Sequence, residues 1–282
     1  MTPFQSVLDR ESTRRRRLAT AARATARPLM VPAAVKQEVA AGIDDARLES
    51  ACRATVRGIV FDTGDVLFDA TVWQRWLWRL LMRFGVRLAY ESLFQSWGPT
   101  YLSGVYRGQS SYDEALAAFL QDLGLSCGQV AEVAAAARAK CGEFEIGSRL
   151  FPAVAGTLAQ LHAGDFRLGV LADSVRSGDR LARDLEQLGL GQVFDAVVTS
   201  IDVGEPRPSL EGYGCVLETL GLMAEETVFV GHDATELAAA SQAGMATVAF
   251  NHGADAVAHQ YLERFDELPA LLRHWPARST AA

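Results

Sequence analysis

The sequence has no apolar stretch that approaches the roughly 18 to 20 residues needed for a transmembrane helix, and it has few cysteines. Its N-terminus lacks the apolar core of a secretory signal. The four cysteines, Cys52, Cys127, Cys141 and Cys215, are scattered and form no CxxC pair. This spacing excludes the dense disulfide framework of a small secreted domain. We therefore expect a cytoplasmic protein with reduced thiols and no transmembrane segment.

Positive charge is also scarce. Among 282 residues, 27 lysines and arginines face 34 acidic residues, and the formal net charge is -7, which argues against a nucleic-acid partner. The basic residues concentrate at the start, where seven arginines precede residue 30. We expect residues 1–54 to form an Arg-rich extension, partly disordered, that is either a solvated tail or an electrostatic tether. An organelle transit peptide is the alternative.

From residue 57 onward, short apolar runs alternate with amphipathic stretches. The apolar runs predict five buried parallel strands at residues 58–61, 167–171, 195–200, 227–231 and 246–250. Helical patterns at 155–162, 177–188, 210–220 and 235–243 lie between the later strands. Strands and helices at this spacing predict an α/β fold with a doubly wound parallel sheet of the Rossmann-like type.

About 90 residues separate the first predicted strand from the second, and all have helical character. A loop of that length is improbable in a compact domain, so we predict an inserted helical module. The expected organisation is an extension (1–54), an α/β core (55–70 and 146–275), a helical domain (71–145) and a tail (276–282). Ligands of open α/β sheets bind beyond the carboxyl ends of the strands, where the insertion would form a roof.

Four segments occur in a suggestive order: VFDTGDVLFD (60–69), VLADS (170–174), VGEPRPS (203–209) and VFVGHDATE (228–236). Together they resemble the motifs of the haloacid dehalogenase-like hydrolase superfamily over residues 57–255. The resemblance implies a core with a helical cap of the C1 type. It also implies an Asp62 nucleophile that forms an aspartyl-phosphate, and a Mg²⁺ ion beside it. The alternative for Asp62 is a carboxylate that only caps the following segment.

When the site residues of the family are compared one by one with this sequence, several of them are replaced. Gly64 stands where phosphatases have their acid/base Asp, so only its carbonyl could bind the metal. Ala172 stands where a hydroxyl is expected, which leaves backbone N–H groups or Asp173 and Ser174 for the phosphate. Arg207 replaces a lysine and is expected to bind the phosphoryl oxygens as a catalytic cation.

The fourth segment has two possible registers. His232 occupies the position expected to be acidic, and imidazole is a poor ligand for Mg²⁺. We therefore expect Asp62, Gly64, Asp233 and Glu236 to hold the metal, with His232 as the alternative. Asp65 and Asp69 follow the turn directly, and for both we expect local capping.

The region predicted to be helical also contains Trp73, Trp76, Trp78 and Trp97. We expect them to pack in its own core, with an aromatic substrate wall as the other interpretation.

These observations leave three functions open. The first is a Mg²⁺-dependent phosphatase of a small phosphorylated metabolite, acting as a monomer or homodimer. The second is a catalytically degenerate member of the family with a binding or regulatory role, because the motifs depart at Gly64, Ala172, Arg207 and His232. The third is a 2-haloacid dehalogenase, which the residues of the second and third motifs disfavour.

Overall fold

The computed structural model of the chain describes residues 55–95, 97–147, 149–190 and 192–275, with the side chains of all of these except residues 141–147. The described residues belong to one compact unit, Arg53–Ala282. The extension predicted for 1–54 and the tail predicted for 276–282 lie outside them. Among the described helices, none is both long enough and apolar enough to span a bilayer.

The centre of the fold is a parallel sheet of six strands in the order β3-β2-β1-β4-β5-β6. The strands are β1 (Gly58–Phe61), β2 (Arg167–Ala172), β3 (Ala196–Thr199), β4 (Thr227–Gly231), β5 (Ala246–Phe250) and β6 (Gln260–Leu262). The first strand lies in the middle, where it pairs with β2 on one side and β4 on the other. The predicted doubly wound fold is confirmed, and β6, a short strand at the edge, is an addition to the five predicted.

Helices connect the strands and fill the long interval after β1. They are α1 (Thr71–Arg83), α2 (Tyr90–Phe94), α3 (Ser103–Tyr106), α4 (Tyr112–Asp122), α5 (Cys127–Gly147), α6 (Val154–Ala163), α7 (Gly178–Leu185), α8 (Ser200–Val203), α9 (Leu210–Leu220), α10 (Ala234–Gln242) and α11 (Leu268–Arg273). Two π-helical segments, Trp97–Leu102 and Glu186–Leu190, and two 3₁₀ turns, Ala224–Glu226 and Phe265–Glu267, complete the described helices.

Both faces of the sheet are buried, which explains why its strands are continuous apolar runs. Side chains alternate between the two faces of a strand. Ile59 and Phe61 of β1 therefore pack in one hydrophobic core with α6 and α11, while Val60 packs in a second core with α9 and α10. All four residues of β1 are buried, so the residue that follows it is held at the centre of the molecule.

Residues 71–95 and 97–147 are mainly helical and have a hydrophobic core of their own. This core contains Leu77, Leu116, Phe119 and Val133, each at most 2% exposed. We call residues 71–147 the helical insertion. It meets the α/β core through an ion pair between Nε of Arg107 and Oε2 of Glu205, 3.3 Å apart. The domain boundaries inside the compact unit stay a prediction.

Two glycines offer a matched test of packing. An added Cβ at Gly178 would lie 2.2 Å from the backbone oxygen of Val197, which cannot move aside easily, whereas one at Gly214 would meet nothing within 4 Å. We expect Gly178→Ala to lower the free energy of unfolding by about 1 to 3 kcal/mol. Gly214→Ala, in the exposed middle of α9, should raise it by about 0.5 to 1 kcal/mol. Urea unfolding measures both, and equal effects would contradict the packing around α7.

Candidate active site

The carboxyl ends of the three central strands meet at one edge of the sheet. Asp62 follows β1, Asp173 follows β2 and His232 follows β4. Because parallel strands all end at the same edge, residues far apart in sequence come together there. The backbone N–H of Asp62 still donates to the carbonyl of Val230 at 3.0 Å, which extends the sheet by one residue. The carboxylate is only 3% exposed.

Arg207 is the cation that faces this carboxylate. Its Nη1 lies 3.1 Å from Oδ1 of Asp62 and 2.9 Å from Oε2 of Glu236. Its side chain is 7% exposed, and its backbone N–H donates to Oδ1 of Asp173 at 3.0 Å. The chain segment after α8 is thus tied to the end of β2. The structure brings together the two residues expected to be catalytic, Asp62 and Arg207.

The two carboxyl groups beside Arg207 differ in protonation. Burial raises the pKa of Asp62, but the charge of Arg207 and the contact with His232 outweigh it, so the pKa lies below its ordinary value. Burial raises the pKa of Glu236, and the neighbouring Asp62 adds to the effect. One guanidinium is thus shared by two carboxyl groups, and Asp62 is the one that stays ionised. An ionised carboxylate is the form that acts as a nucleophile.

His232, and not Asp233, faces the nucleophile position. Nδ1 of His232 lies 3.2 Å from Oδ2 of Asp62. Asp233 instead caps α10, where its Oδ1 accepts hydrogen bonds from the backbone N–H groups of Thr235 at 2.8 Å and Glu236 at 3.2 Å. The geometry therefore favours the alternative ligand His232 over the preferred Asp233, because the helix cap already uses the Asp233 carboxylate.

Three side chains form a group that could hold a metal ion. Asp62, His232 and Glu236 each offer one ligand atom, and these atoms all lie within 4.8 Å of one another. Two carboxylates and one imidazole fit a divalent cation, although Mg²⁺ prefers oxygen ligands and imidazole suits Mn²⁺ or Zn²⁺ better. The site thus accommodates the expected class of cofactor with a mixed set of ligands.

The residues after β2 divide between the core and the site. The side chain of Ala172 packs in the hydrophobic core, whereas Asp173 and Ser174 line the cavity in front of Asp62. The hydroxyl oxygen of Ser174 accepts a hydrogen bond from the backbone N–H of Arg176 at 3.0 Å. This contact leaves the hydroxyl proton of Ser174 free to be donated to a ligand.

Position 64 in the turn after Asp62 offers no acid/base side chain, although Asp65 and Asp69 nearby line the same cavity. Gly64 lines the cavity, and an added Cβ there would lie 3.0 Å from Cβ of Ala70. Asp65 adopts a left-handed backbone with φ of 56°, and Asp is among the residues that tolerate this conformation. Asp69 accepts a hydrogen bond from the backbone N–H of Thr71 at 2.9 Å, which fits the expected local capping.

A cavity of about 760 Å³ lies between this edge of the sheet and the helical insertion. Trp73 and Trp97 line it, whereas Trp76 and Trp78 do not. All four pack in or against the core of the insertion, as expected. Trp73 and Trp97 in addition form part of the cavity wall.

Tyr106 of α3 is a site residue that the sequence reasoning missed. It lines the cavity, and burial together with the charge of Asp173 raises its pKa to about 12. The hydroxyl therefore stays protonated and available as a donor. An aromatic residue in a predicted helix gives no signal that separates this position from ordinary core packing.

The ion-pair cluster makes a prediction about stability. We expect Arg207→Met to lower the free energy of unfolding by about 3 to 5 kcal/mol, because the buried carboxylate of Asp62 loses its counter-charge. Arg207→Lys keeps the charge and should lose less than half as much. Urea unfolding at neutral pH measures both variants. Equal losses would show that the shape of the side chain, and not its charge, stabilises this edge of the sheet.

Comparisons with known proteins agree with this geometry. The family profile "Haloacid dehalogenase-like hydrolase" matches residues 120–250. A phosphoglycolate phosphatase of Salmonella typhimurium is 35% identical over 109 residues, which cover 39% of this chain and 42% of that protein. A glyceraldehyde 3-phosphate phosphatase of Methanocaldococcus jannaschii is 37% identical over 103 residues, covering 36% and 43%. The chain thus spans less than half the length of these relatives.

The fold is shared over a longer stretch. The crystal structure of a HAD-superfamily hydrolase of subfamily IA from Geobacter sulfurreducens has a TM-score of 0.57 and 25% identity, and the match covers 78% of this chain and 97% of that one. Its match includes more of the chain than the family profile does. The family match over residues 120–250, the shared fold and the cluster of Asp62, Arg207 and Glu236 together make the chain similar to the haloacid dehalogenase-like hydrolases.

Proposed function

We propose that the protein is a phosphoric monoester hydrolase in which Asp62 attacks the phosphorus of a small phosphorylated substrate. The observation that carries the proposal is the buried, ionised carboxylate of Asp62, which lies 3.1 Å from the Arg207 guanidinium and lines the 760 Å³ cavity. The matching segments of two proteins named as phosphatases support the reaction class.

Arg207 is well suited to bind an anionic ester. Its Nη1 already contacts Asp62 and Glu236, but its buried Nε has no aligned acceptor among the described residues, where the carboxylate of Asp173 lies 3.8 Å away. Buried donors without partners are costly unless a ligand pairs with them. A phosphoryl group in front of Asp62 would accept from the guanidinium, which presents a fork of N–H groups to oxygen anions. The Ser174 hydroxyl is a second donor that lines the same cavity.

The reaction proceeds in two steps on the chain's own residues. A carboxylate oxygen of Asp62 forms a bond to phosphorus while the ester oxygen leaves with the electron pair of the broken P–O bond. Water then adds to phosphorus and releases Asp62 as the carboxylate. Gly64 has no side chain that could give a proton to the leaving oxygen, so this proton comes from the substrate itself or from another group in the cavity.

A divalent cation belongs to the proposal, with Mg²⁺ as the ion that the family resemblance implies. The ligands would be the carboxylate of Asp62, the carbonyl of Gly64, Glu236 and the side chain at position 232. When bound, the cation would neutralise phosphate charge beside the nucleophile. A cytoplasmic location and a monomeric or homodimeric state are also proposed, from the sequence alone.

The degenerate-member hypothesis remains the second candidate, and the observation that favours it is Gly64. Substitution of the proposed nucleophile distinguishes the phosphatase from the degenerate member. We expect Asp62→Asn to reduce phosphate release from a panel of phosphate monoesters to the background rate, because an amide cannot attack phosphorus. Rapid acid quenching of the unchanged protein, followed by peptide mass spectrometry, should find one phosphoryl group on Asp62.

Asp266→Asn is the control for this experiment, because Asp266 is exposed and its ion pair is with the surface residue Arg264. This variant should keep the full rate. Turnover that survives in Asp62→Asn would refute the nucleophile, and a lack of turnover in the unchanged protein across the panel would favour the degenerate member.

Position 232 offers a test of the cation. We expect His232→Asp to bind Mg²⁺ about tenfold more tightly than the unchanged protein, equivalent to about 1.4 kcal/mol of binding free energy, because a carboxylate replaces imidazole. Calorimetric titration measures this directly. Asp233→Asn preserves the cap of α10 and should leave the affinity unchanged. The reverse pattern would assign the ligand to Asp233.

A further inference from the structure

The cavity between the helical insertion and the sheet is lined by apolar side chains as well as by charged ones. On the side of the insertion, Trp73 and Trp97 stack with ring centroids 5.8 Å apart and planes inclined by 21°. Tyr112 meets Trp73 edge-on at 5.8 Å. All three rings line the cavity, and we call them the aromatic wall. Flat, rigid rings of this kind present apolar surface to a ligand at little cost in conformational entropy.

The α/β core supplies a second apolar surface. Leu181 and Leu185 of α7 and Leu188 of the following turn line the same cavity. A ligand attached to a phosphoryl group at Asp62 would thus meet rings on the insertion and leucines on the core. Burial of an apolar group against such surfaces is favourable in proportion to the area removed from water.

The cavity is also large. Its volume of about 760 Å³ lies within the range of roughly 300 to 1,000 Å³ that is typical of pockets for drug-sized ligands. A phosphorylated acid of two or three carbons would fill a small part of it and would leave most of the apolar lining in contact with water.

The charges in the cavity disfavour a second anionic group on the substrate. Its acidic lining residues outnumber its arginines, and each of these arginines already faces a carboxylate. Arg138 pairs with Asp113 at 3.4 Å, Arg176 pairs with Asp184, and Arg207 faces Asp62. A carboxylate or a second phosphate on the substrate would have to displace one of these ion pairs.

From these observations we infer that the substrate is a phosphate monoester whose leaving group is uncharged, apolar and ring-bearing, in contrast to a phosphorylated two- or three-carbon acid. This inference rests on the proposed function for the type of reaction, whereas the selectivity is inferred from the residues that line the cavity. The aromatic wall also lies outside the segment 120–250 that matches the family profile. That match therefore carries no information about the rings of the aromatic wall.

Three phosphonates that cannot be hydrolysed test the selectivity without the reaction. They are propylphosphonate, 3-phenylpropylphosphonate and 3-phosphonopropionate, which replace the ester oxygen of ethyl phosphate, 2-phenylethyl phosphate and 2-phosphoglycolate by a methylene group. In calorimetric titrations of the full chain, 3-phenylpropylphosphonate should bind roughly 10- to 100-fold more tightly than propylphosphonate, as burial of a phenyl group predicts. 3-Phosphonopropionate should bind no better than propylphosphonate.

Substitutions in the two walls test which residues produce the preference for the phenyl compound. Trp73→Leu should reduce the advantage of the phenyl compound about tenfold and change the affinity for propylphosphonate less than twofold. Leu188→Ala on the opposite wall should act in the same direction, and serves if Trp73→Leu does not fold, as thermal unfolding would reveal. Trp76→Leu is the matched control, because Trp76 lies on the same helix and packs against the same core without lining the cavity. It should keep the full preference.

Hydrolysis of the three corresponding esters separates this inference from the proposed function. Equal binding of the three phosphonates, or a preference for 3-phosphonopropionate, overturns the inference, while hydrolysis of any ester still supports the phosphatase. Preferential binding of the phenyl compound without hydrolysis of any ester supports the selectivity of the cavity and refutes the enzymatic proposal. Loss of the preference in Trp76→Leu but not in Trp73→Leu also overturns the inference.

Discussion

The site depends on one buried cation shared by carboxylates from different parts of the chain. Arg207 lies within 3.1 Å of Asp62 and 2.9 Å of Glu236, and its backbone holds Asp173. A buried carboxylate is unstable as an anion without such a partner. The guanidinium therefore maintains the charge of Asp62, while burial favours the protonated form of Glu236. The same contact that stabilises the fold at this edge keeps Asp62 ionised, which is the form that the proposed nucleophile requires.

The sheet makes this arrangement possible. Because β1 is central and pairs with β2 and β4, the residues that follow these three strands converge without long loops. Glu236 is added by the first turn of α10, whose backbone is also held from the core: the hydroxyl of Tyr213 on α9 donates to the carbonyl of Glu236 at 2.9 Å. Tyr213 is fully buried, so the position of Glu236 is fixed by packing as well as by charge.

Much of the fold could be predicted because its strands are buried on both faces and read as continuous apolar runs. β1, β3, β4 and β5 lie within the predicted bounds and β2 extends one residue beyond them, whereas the three-residue edge strand β6 gives too short a signal. The convergence of Asp62 and Arg207 was implied by the family resemblance and not by the strand ends, because Arg207 lies beyond α8. The sequence could not decide between His232 and Asp233, because adjacent residues in a loop differ in direction only through local hydrogen bonds. In the structure the carboxylate of Asp233 caps α10, and His232 contacts Asp62. Tyr106 was missed because its role depends on how the helices of the insertion are placed over the sheet.

Two adjacent residues link the helical insertion to the candidate active site. Tyr106 lines the cavity, and the next residue, Arg107, pairs with Glu205 of the core. Glu205 lies two residues before Arg207. The segment that carries the cation is thus in contact with the segment that carries the cavity's tyrosine. A displacement of the insertion at this point would alter the position of the Tyr106 hydroxyl and remove a partner from the chain beside Arg207. The apolar walls proposed to select a substrate and the ion pairs that keep Asp62 ionised are therefore parts of one packed arrangement, in which the position of the insertion affects both.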